Sequence, residues 1–225
     1  MEESELIPKI IIQTWKSNEI PEKYNKDIES IKKFNPDFEI KFFSDQDIED
    51  FLKNNYLEYY DVYVKLPIKI QKIDYFRYVA IYHYGGFYFD LDILGLKPIS
   101  ELCNKSCIFP VDTHITKYMY SKNRFKFYKN KINVLLGQYA FAAKPKHPFI
   151  KEIIERINKN LEKYIIESKT PYGKTNEYIY KSTGPDFVTN MYLYYKDKND
   201  ITILHHSRGQ YFGNYAKHNG YGTWK

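Results

Sequence analysis

Asp90 and Asp92 stand one residue apart in Phe87-Tyr-Phe-Asp-Leu-Asp-Ile-Leu94, a stretch that is otherwise apolar or aromatic. On an extended strand, alternate residues share a face, so the spacing points both carboxylates the same way. Two like charges in apolar company are costly unless a cation neutralises them. A hard divalent ion with oxygen ligands, its shell completed by a diphosphate, is the natural partner. Mn2+ suits such a donor set, with Mg2+ as the alternative. Two exposed acids on a strand edge would give the same pattern with no chemistry. Upstream, Asp74 and Arg77 lie three apart on a helix and therefore share a face. Such a pair alone is commonly a surface ion bridge of little worth. Here, however, the helix feeds through Gly85-Gly86 straight into the acidic strand, which brings both pairs toward one crevice edge, where α/β sheets bind ligands.

The elements that must position these residues follow a β-α-β-α order. Ile7 to Trp15 holds a short β-branched run bounded by Pro8, which reads as a buried first strand. Tyr24, Ile28, Ile31 and Phe34 recur at helical spacing until Asn35-Pro36 stops the helix. Phe38 to Phe43 reads as a second strand, and Ser44 to Asp47 as a capping box opening a helix toward Tyr56. A longer helix is expected from Pro67 to His83, with Ile70, Ile73, Val79, Ala80 and Ile81 inward and Gly85-Gly86 ending it. In the second half, Ile108–Val111, Tyr139–Ala143 and Ile201–Leu204 read as strands. Phe149–Ile166 and Thr183–Tyr195 read as helices, the latter with Pro185 at a tolerated early position. Asn123–Asn130 is a basic, aromatic loop or exposed helix. Together these argue for an α/β fold with a central, mainly parallel sheet flanked by helices.

Length and composition fit one domain over residues 1–225, large enough to bury a core without staples. The chain is 43% apolar and 28% charged, with a net charge of +6. Its basic residues read as interleaved with acids along the chain, forming no arm or tail. A positive field is compatible with an anionic substrate such as a nucleotide, although by itself the charge is better explained as a solvated mixed surface. Cys103 and Cys107 lack companions for a zinc site and read as free thiols of a reducing compartment. The opening Met-Glu-Glu-Ser-Glu carries neither a basic nor an apolar signal region, and no apolar run approaches the length of a span. The expectation is a cytoplasmic chain with no membrane span.

The block from Ile73 to Asp92, Ile-Asp-Tyr-Phe-Arg-Tyr-Val-Ala-Ile-Tyr-His-Tyr-Gly-Gly-Phe-Tyr-Phe-Asp-Leu-Asp, resembles the signature of glycosyltransferases containing a DXD sugar-binding motif. Their relatives include the yeast initiating α-1,6-mannosyltransferase, α-1,4-galactosyl- and N-acetylglucosaminyltransferases and, more distantly, the clostridial glucosylating toxins. Three further blocks resemble that family in the same order: Ile7 to Lys16, Thr183-Gly-Pro185, and Tyr215-Ala-Lys-His218 followed by Gly222-Thr-Trp224. The resemblance implies a GT-A fold, a UDP- or GDP-sugar donor, Mn2+ dependence, a glycan or glycoprotein acceptor and retention of anomeric configuration. It divides the chain into a nucleotide-sugar and metal-binding half, 1–100, and an acceptor half, 101–225, whose tail closes the site.

Carried over position by position, the resemblance has Trp15 stack on the base and Asp74 and Arg77 bind the donor sugar and ribose, Arg77 also facing the diphosphate. Asp90 would bind ribose and the metal or its water, Asp92 would ligate the metal directly, and His218 would be a second protein ligand. Thr223 stands where the family has Ser and keeps the hydroxyl, Trp224 would close over the diphosphate, and Ile12 stands where the family has His. His205 and His206, adjacent on a strand, would face opposite ways and read as structural, and Asp186 as a helix N-terminal charge. A front-face displacement assisted by the departing phosphate oxygen is expected. The rival readings are a toxin-like enzyme glycosylating protein, a metal phosphoesterase built on Asp90 and Asp92, and a basic, Tyr-rich nucleic-acid binder. The phosphoesterase reading lacks ligands for a second metal, and the last leaves the acidic strand unexplained, so no nucleic-acid partner is expected.

Overall fold

The computed structural model describes residues 6–222. Strand β1 (Ile10–Thr14) is the Ile-Ile-Ile run and buries all but its first side chain. The chain passes through α1 (Asn25–Phe34) to β2 (Glu39–Phe43), which pairs parallel to β1. Helix α2 (Asp45–Asn55) opens on the expected capping box: Ser44 Oγ accepts from the Asp47 amide, and Asp47 Oδ2 accepts from the Ser44 amide. A separate helix follows, α3 (Leu57–Lys65), then α4 (Lys69–Tyr84).

Helix α4 is enclosed on every side from Asp74 to Ile81, with Asp74 and Arg77 buried among its apolar residues. Phe76 on it meets Phe43 at 5.1 Å and Phe51 at 5.9 Å, both edge to face, which welds α2 and α4 to the sheet. Val79, Ala80 and Ile81 point inward as expected; Ile70 and Ile73 are only partly buried and line a cleft instead. Gly85 ends α4 with φ +68°, and Gly86 follows at φ +90°. A Cβ on Gly86 would lie 2.5 Å from the Ile10 carbonyl, so glycine permits the helix to turn directly into β3 beside β1.

β3 (Gly86–Phe89) ends before the acids. Asp90, Leu91 and Asp92 form a turn closed by Ile93 N donating to the Asp90 carbonyl, and β4 (Ile93–Gly95) leaves for a second sheet. The acids therefore do not share a strand face; the turn, not strand alternation, brings them together. Beyond it come β5 (Cys107–His114), α5 (Asn123–Lys126), β6 (Val134–Leu136) and β7 (Ala140–Ala143). The expected long helix is two, α6 (Pro148–Lys159) and α7 (Leu161–Ser168), broken at Asn160. Then follow α8 (Asn176–Ser182), α9 (Pro185–Tyr194), β8 (Ile201–Leu204), β9 (Tyr211–Phe212) and β10 (Ala216–His218). His205 and His206 lie just past β8, so they do not alternate on a strand.

The main sheet runs β2-β1-β3-β7-β5-β6, with β8 also on β5. Five of its seven described strands point one way; β7 and β6 oppose them. The carboxyl ends of β1, β2 and β3 deliver Trp15, Asp45 and Asp90 to one edge. A small antiparallel sheet, β4-β10-β9, hangs the tail from that edge. Cys103 and Cys107 are both fully buried. No helix among the described residues is long and apolar enough to cross a membrane.

Candidate active site

The site has a wall made by the core. Asp74 and Arg77, 1% and 4% exposed, pair on α4 with Arg77 Nη2 3.3 Å from Asp74 Oδ1. The same guanidinium nitrogen reaches Asp90 Oδ1 at 3.5 Å, Nη1 donates to the Gln138 carbonyl at 2.9 Å, and the group lies 4.6 Å over the Tyr88 ring. Thr183 Oγ1 donates to Asp74 Oδ2 at 2.6 Å, which gives the Thr-Gly-Pro block a physical role. The Tyr88 hydroxyl donates to Asp90 Oδ1 at 2.9 Å and shares a hydrogen bond with Thr14 Oγ1. Both the i,i+3 pair and the acids thus meet at one edge, through Arg77.

The other wall is the tail. β10 pairs antiparallel with β4, His218 opposite Ile93, which sets the imidazole beside Asp92. His218 Nε2 lies 3.2 Å from Asp92 Oδ1, and the Tyr221 amide donates to Asp92 Oδ2 at 2.9 Å. His218 Nδ1 meets Gln210 Oε1 at 2.8 Å; Gln210 Nε2 in turn donates to Asp112 Oδ1 at 3.1 Å. With a proton on Nδ1 for Gln210, Nε2 of His218 faces the acids, where a cation would take the place of its proton. Tyr139 stacks on the imidazole at 4.5 Å. Asn219 ties the tail back twice: its amide donates to the Asp92 carbonyl, and its Nδ2 to Oδ1 of buried Asp27 at 2.9 Å.

Ligand atoms of Asp90, Asp92 and His218 all lie within 4.8 Å of one another, the one such cluster among the described residues. Two carboxylates and an imidazole whose far nitrogen is already held are a donor set that fits a divalent cation. The charge balance agrees with that fit: Asp74, Asp90 and Asp92 face a single guanidinium and one imidazole. Burial pushes the Asp74 carboxyl up to about 6, with Arg77 and Thr183 only partly offsetting it. Enclosure likewise raises Asp90 despite the pull of Arg77. Burial also acts to raise Asp92, but hydrogen bonding and charge from His218 and the Tyr221 amide outweigh it, and the net direction is down. His218 moves the opposite way: desolvation lowers it, and Asp92 more than restores it.

These groups open on a cleft of about 460 Å3. Trp15, Arg77, Asp90, Asp92 and His218 line it. Asp74 stands behind Arg77 and does not reach the cleft wall. Thr223 and Trp224 lie outside the described residues. Sequence reasoning missed Tyr88, Tyr24, Tyr180, Gln210 and the Asp45–Lys69 pair, all cleft residues. Only Tyr88 carried a signal, two residues before Asp90 in the same block. Asp186, read as a helix-end charge, is buried and clamped by Arg124 at 2.6 Å.

A mostly parallel sheet with a ligand cleft at its carboxyl edge and a DXD turn on its rim defines a sugar-nucleotide transferase fold of the GT-A type. The solved glycosyltransferase PaToxG is similar in fold, with a TM-score of 0.55 and 17% identity over 82% of this chain and 68% of that one. Residues 21–109 match the family described as the glycosyltransferase sugar-binding region containing a DXD motif. An uncharacterised glycosyltransferase of Acanthamoeba polyphaga mimivirus is 30% identical over 76% of this chain and 68% of its own. Inositol phosphoceramide mannosyltransferase 1 of Schizosaccharomyces pombe is 32% identical over 76% of this chain and 49% of its own. The chain belongs to the DXD-containing glycosyltransferase family. It spans half or less of the length of the fission-yeast relatives it matches.

Proposed function

We propose that the protein transfers a hexose, with mannose the first choice, from a nucleotide-diphosphate sugar to a glycan hydroxyl, using Mn2+ and retaining the anomeric configuration. The observation that carries this reading is the convergence of Asp90, Asp92 and His218 on one edge of the cleft that also holds Arg77 and Trp15. The choice of mannose rests on the named activity of the fission-yeast relative.

Asp92 and His218 would hold the cation directly, with Asp90 beside them. When bound, the cation supplies positive charge to the departing diphosphate. Trp15 offers a face for the base, and its Nε1 donor has no hydrogen-bond partner among the described residues. Arg77, kept charged by Tyr88, Asp90 and Asp74 against the pull of burial, aims a fixed charge toward the same leaving group. Asp74 acts through Arg77, holding its orientation. The acceptor oxygen bonds to C1 as the C1–phosphate oxygen bond breaks, and the acceptor proton passes to the departing phosphate oxygen on the same face. Residues 1–100 supply most of the donor wall, and the acceptor enters from the side of the second half, whose tail contributes His218.

The test is nucleotide release with Mn2+ across GDP- and UDP-sugars, for wild type and Asp92→Asn. Metal-dependent release from GDP-mannose, lost in the variant, is the expected result. Release from UDP-sugars alone would overturn the choice of mannose, and no release from any donor would overturn the proposal.

A further inference from the structure

One stretch of this chain is basic without any acid, and six of its cations, Lys117, Lys122, Arg124, Lys126, Lys129 and Lys131, fall in one lobe. Between Asp112 and Glu152 stand nine of its 34 basic residues and none of its 28 acids. Removing that stretch from a +6 chain leaves −3, so the even interleaving read along the whole sequence does not hold here. Lys117, Lys122, Lys126, Lys129 and Lys131 are all exposed. Aromatic side chains accompany them at the surface, Tyr118 at 76% and Phe127 at 43% exposure. Lys131 Nζ sits 3.6 Å over the Phe127 ring and Lys122 Nζ 5.8 Å over Tyr118. The lobe is anchored from beneath by its own small core of Ile115, Phe125, Tyr128 and Leu135. Its outward rings are therefore not what holds it together. Beside them, Lys117, Lys129 and Lys131 edge an open basin of about 810 Å3, with Ser121, Asn130 and Asn133.

We infer that this lobe docks on a bilayer surface containing anionic phospholipid. Ammonium groups beside outward aromatic tips are the arrangement that sits at a head-group boundary, with charge drawn to lipid phosphate and rings to the interface. Nucleic-acid recognition favours the planar fork of arginine. The lobe's one arginine, Arg124, is instead turned inward onto Asp186. Its guanidinium also lies 4.3 Å over Tyr180, a cleft residue, so the lobe adjoins the cleft. Docking there sets the cleft beside the bilayer, within reach of an acceptor carried on a lipid head group. The docking surface stands apart from the donor chemistry, so it holds or fails without reference to which sugar is transferred.

The test is co-sedimentation of the purified protein with phosphatidylcholine vesicles, with and without phosphatidylserine, at physiological salt. Wild type is expected to bind only the anionic vesicles. Each lysine near such a surface contributes about fivefold, so the triple variant Lys117→Gln, Lys129→Gln, Lys131→Gln is expected to bind about a hundredfold more weakly. Phe127→Ala is expected to weaken the binding that survives at high salt. Circular dichroism of both variants checks that these surface changes leave the fold intact. Equal binding to neutral vesicles, or no loss in the triple variant, would overturn the inference. So would lysine-dependent binding of a single-stranded oligonucleotide that outcompetes the anionic vesicles.

Discussion

The two walls of the cleft are built by different means. On the core wall, Arg77 is enclosed by Asp74, Asp90, Tyr88 and the Gln138 carbonyl, and Asp74 is fixed in turn by Thr183. The tail wall hangs on two short strands and a few hydrogen bonds, with Gly220 and Gly222 at positive φ on its path. One wall is preorganised by burial; the other is anchored by buried Phe212 and Ala216, and beyond them by contacts to Asp92 and Asp27. Damage to the core wall should therefore cost the fold and the chemistry together. Damage to the tail should cost metal and donor binding while the fold survives.

The largest expected effect tests the core side. Arg77→Met leaves buried Asp74 without its cation, a loss of about 3–5 kcal/mol. Urea denaturation is expected to show a lower midpoint together with lost turnover; an unchanged midpoint would mean that the wall is not held by this ion pair. His218→Ala is next and should separate the two walls. Its urea midpoint without metal should fall less than that of Arg77→Met, while Mn2+ affinity falls by at least about tenfold. Smaller again is Asn219→Ala, which cuts the tether to Asp27 but leaves all three candidate ligands. A drop of about tenfold in Mn2+ affinity is expected, with kcat changed less than the metal requirement.

The smallest effect lies away from the cleft and is a pH dependence. His147 is fully buried, its Nδ1 accepts from the Phe149 amide, and its Nε2 lies 2.9 Å from Asp200. Burial lowers its pKa below the ordinary 6.5, and Asp200 only partly offsets this. Below that value the unfolded chain binds the proton more readily than the native one, so stability falls as pH falls through that window. Urea midpoints across the window should show this slope in wild type and a shallower one in His147→Gln.

The core wall was largely legible in the sequence because local signals specify it. Gly85-Gly86 must follow a helix into a close strand approach, and Ser44 with Asp47 marks a helix start. The acidic pair was found but its geometry was not, since β3 stops pairing with β7 at Phe89 and the chain turns toward a sheet formed with residues over a hundred positions away. Helix α3 was missed because aromatic residues on several sides blur its period. The break at Asn160 was missed because apolar residues continue past it. Gln210, Asp112 and Asp27 carried no signal, since each acquires its role only through a long-range partner.

The most direct test of a metal site shared between core and tail is a calorimetric Mn2+ titration of wild type and Asp92→Asn. Wild type should bind the ion, and the variant should lose more than the roughly hundredfold associated with outer-shell partners. Equal affinity in the two proteins would contradict the assignment of Asp92 and, with it, the joint site.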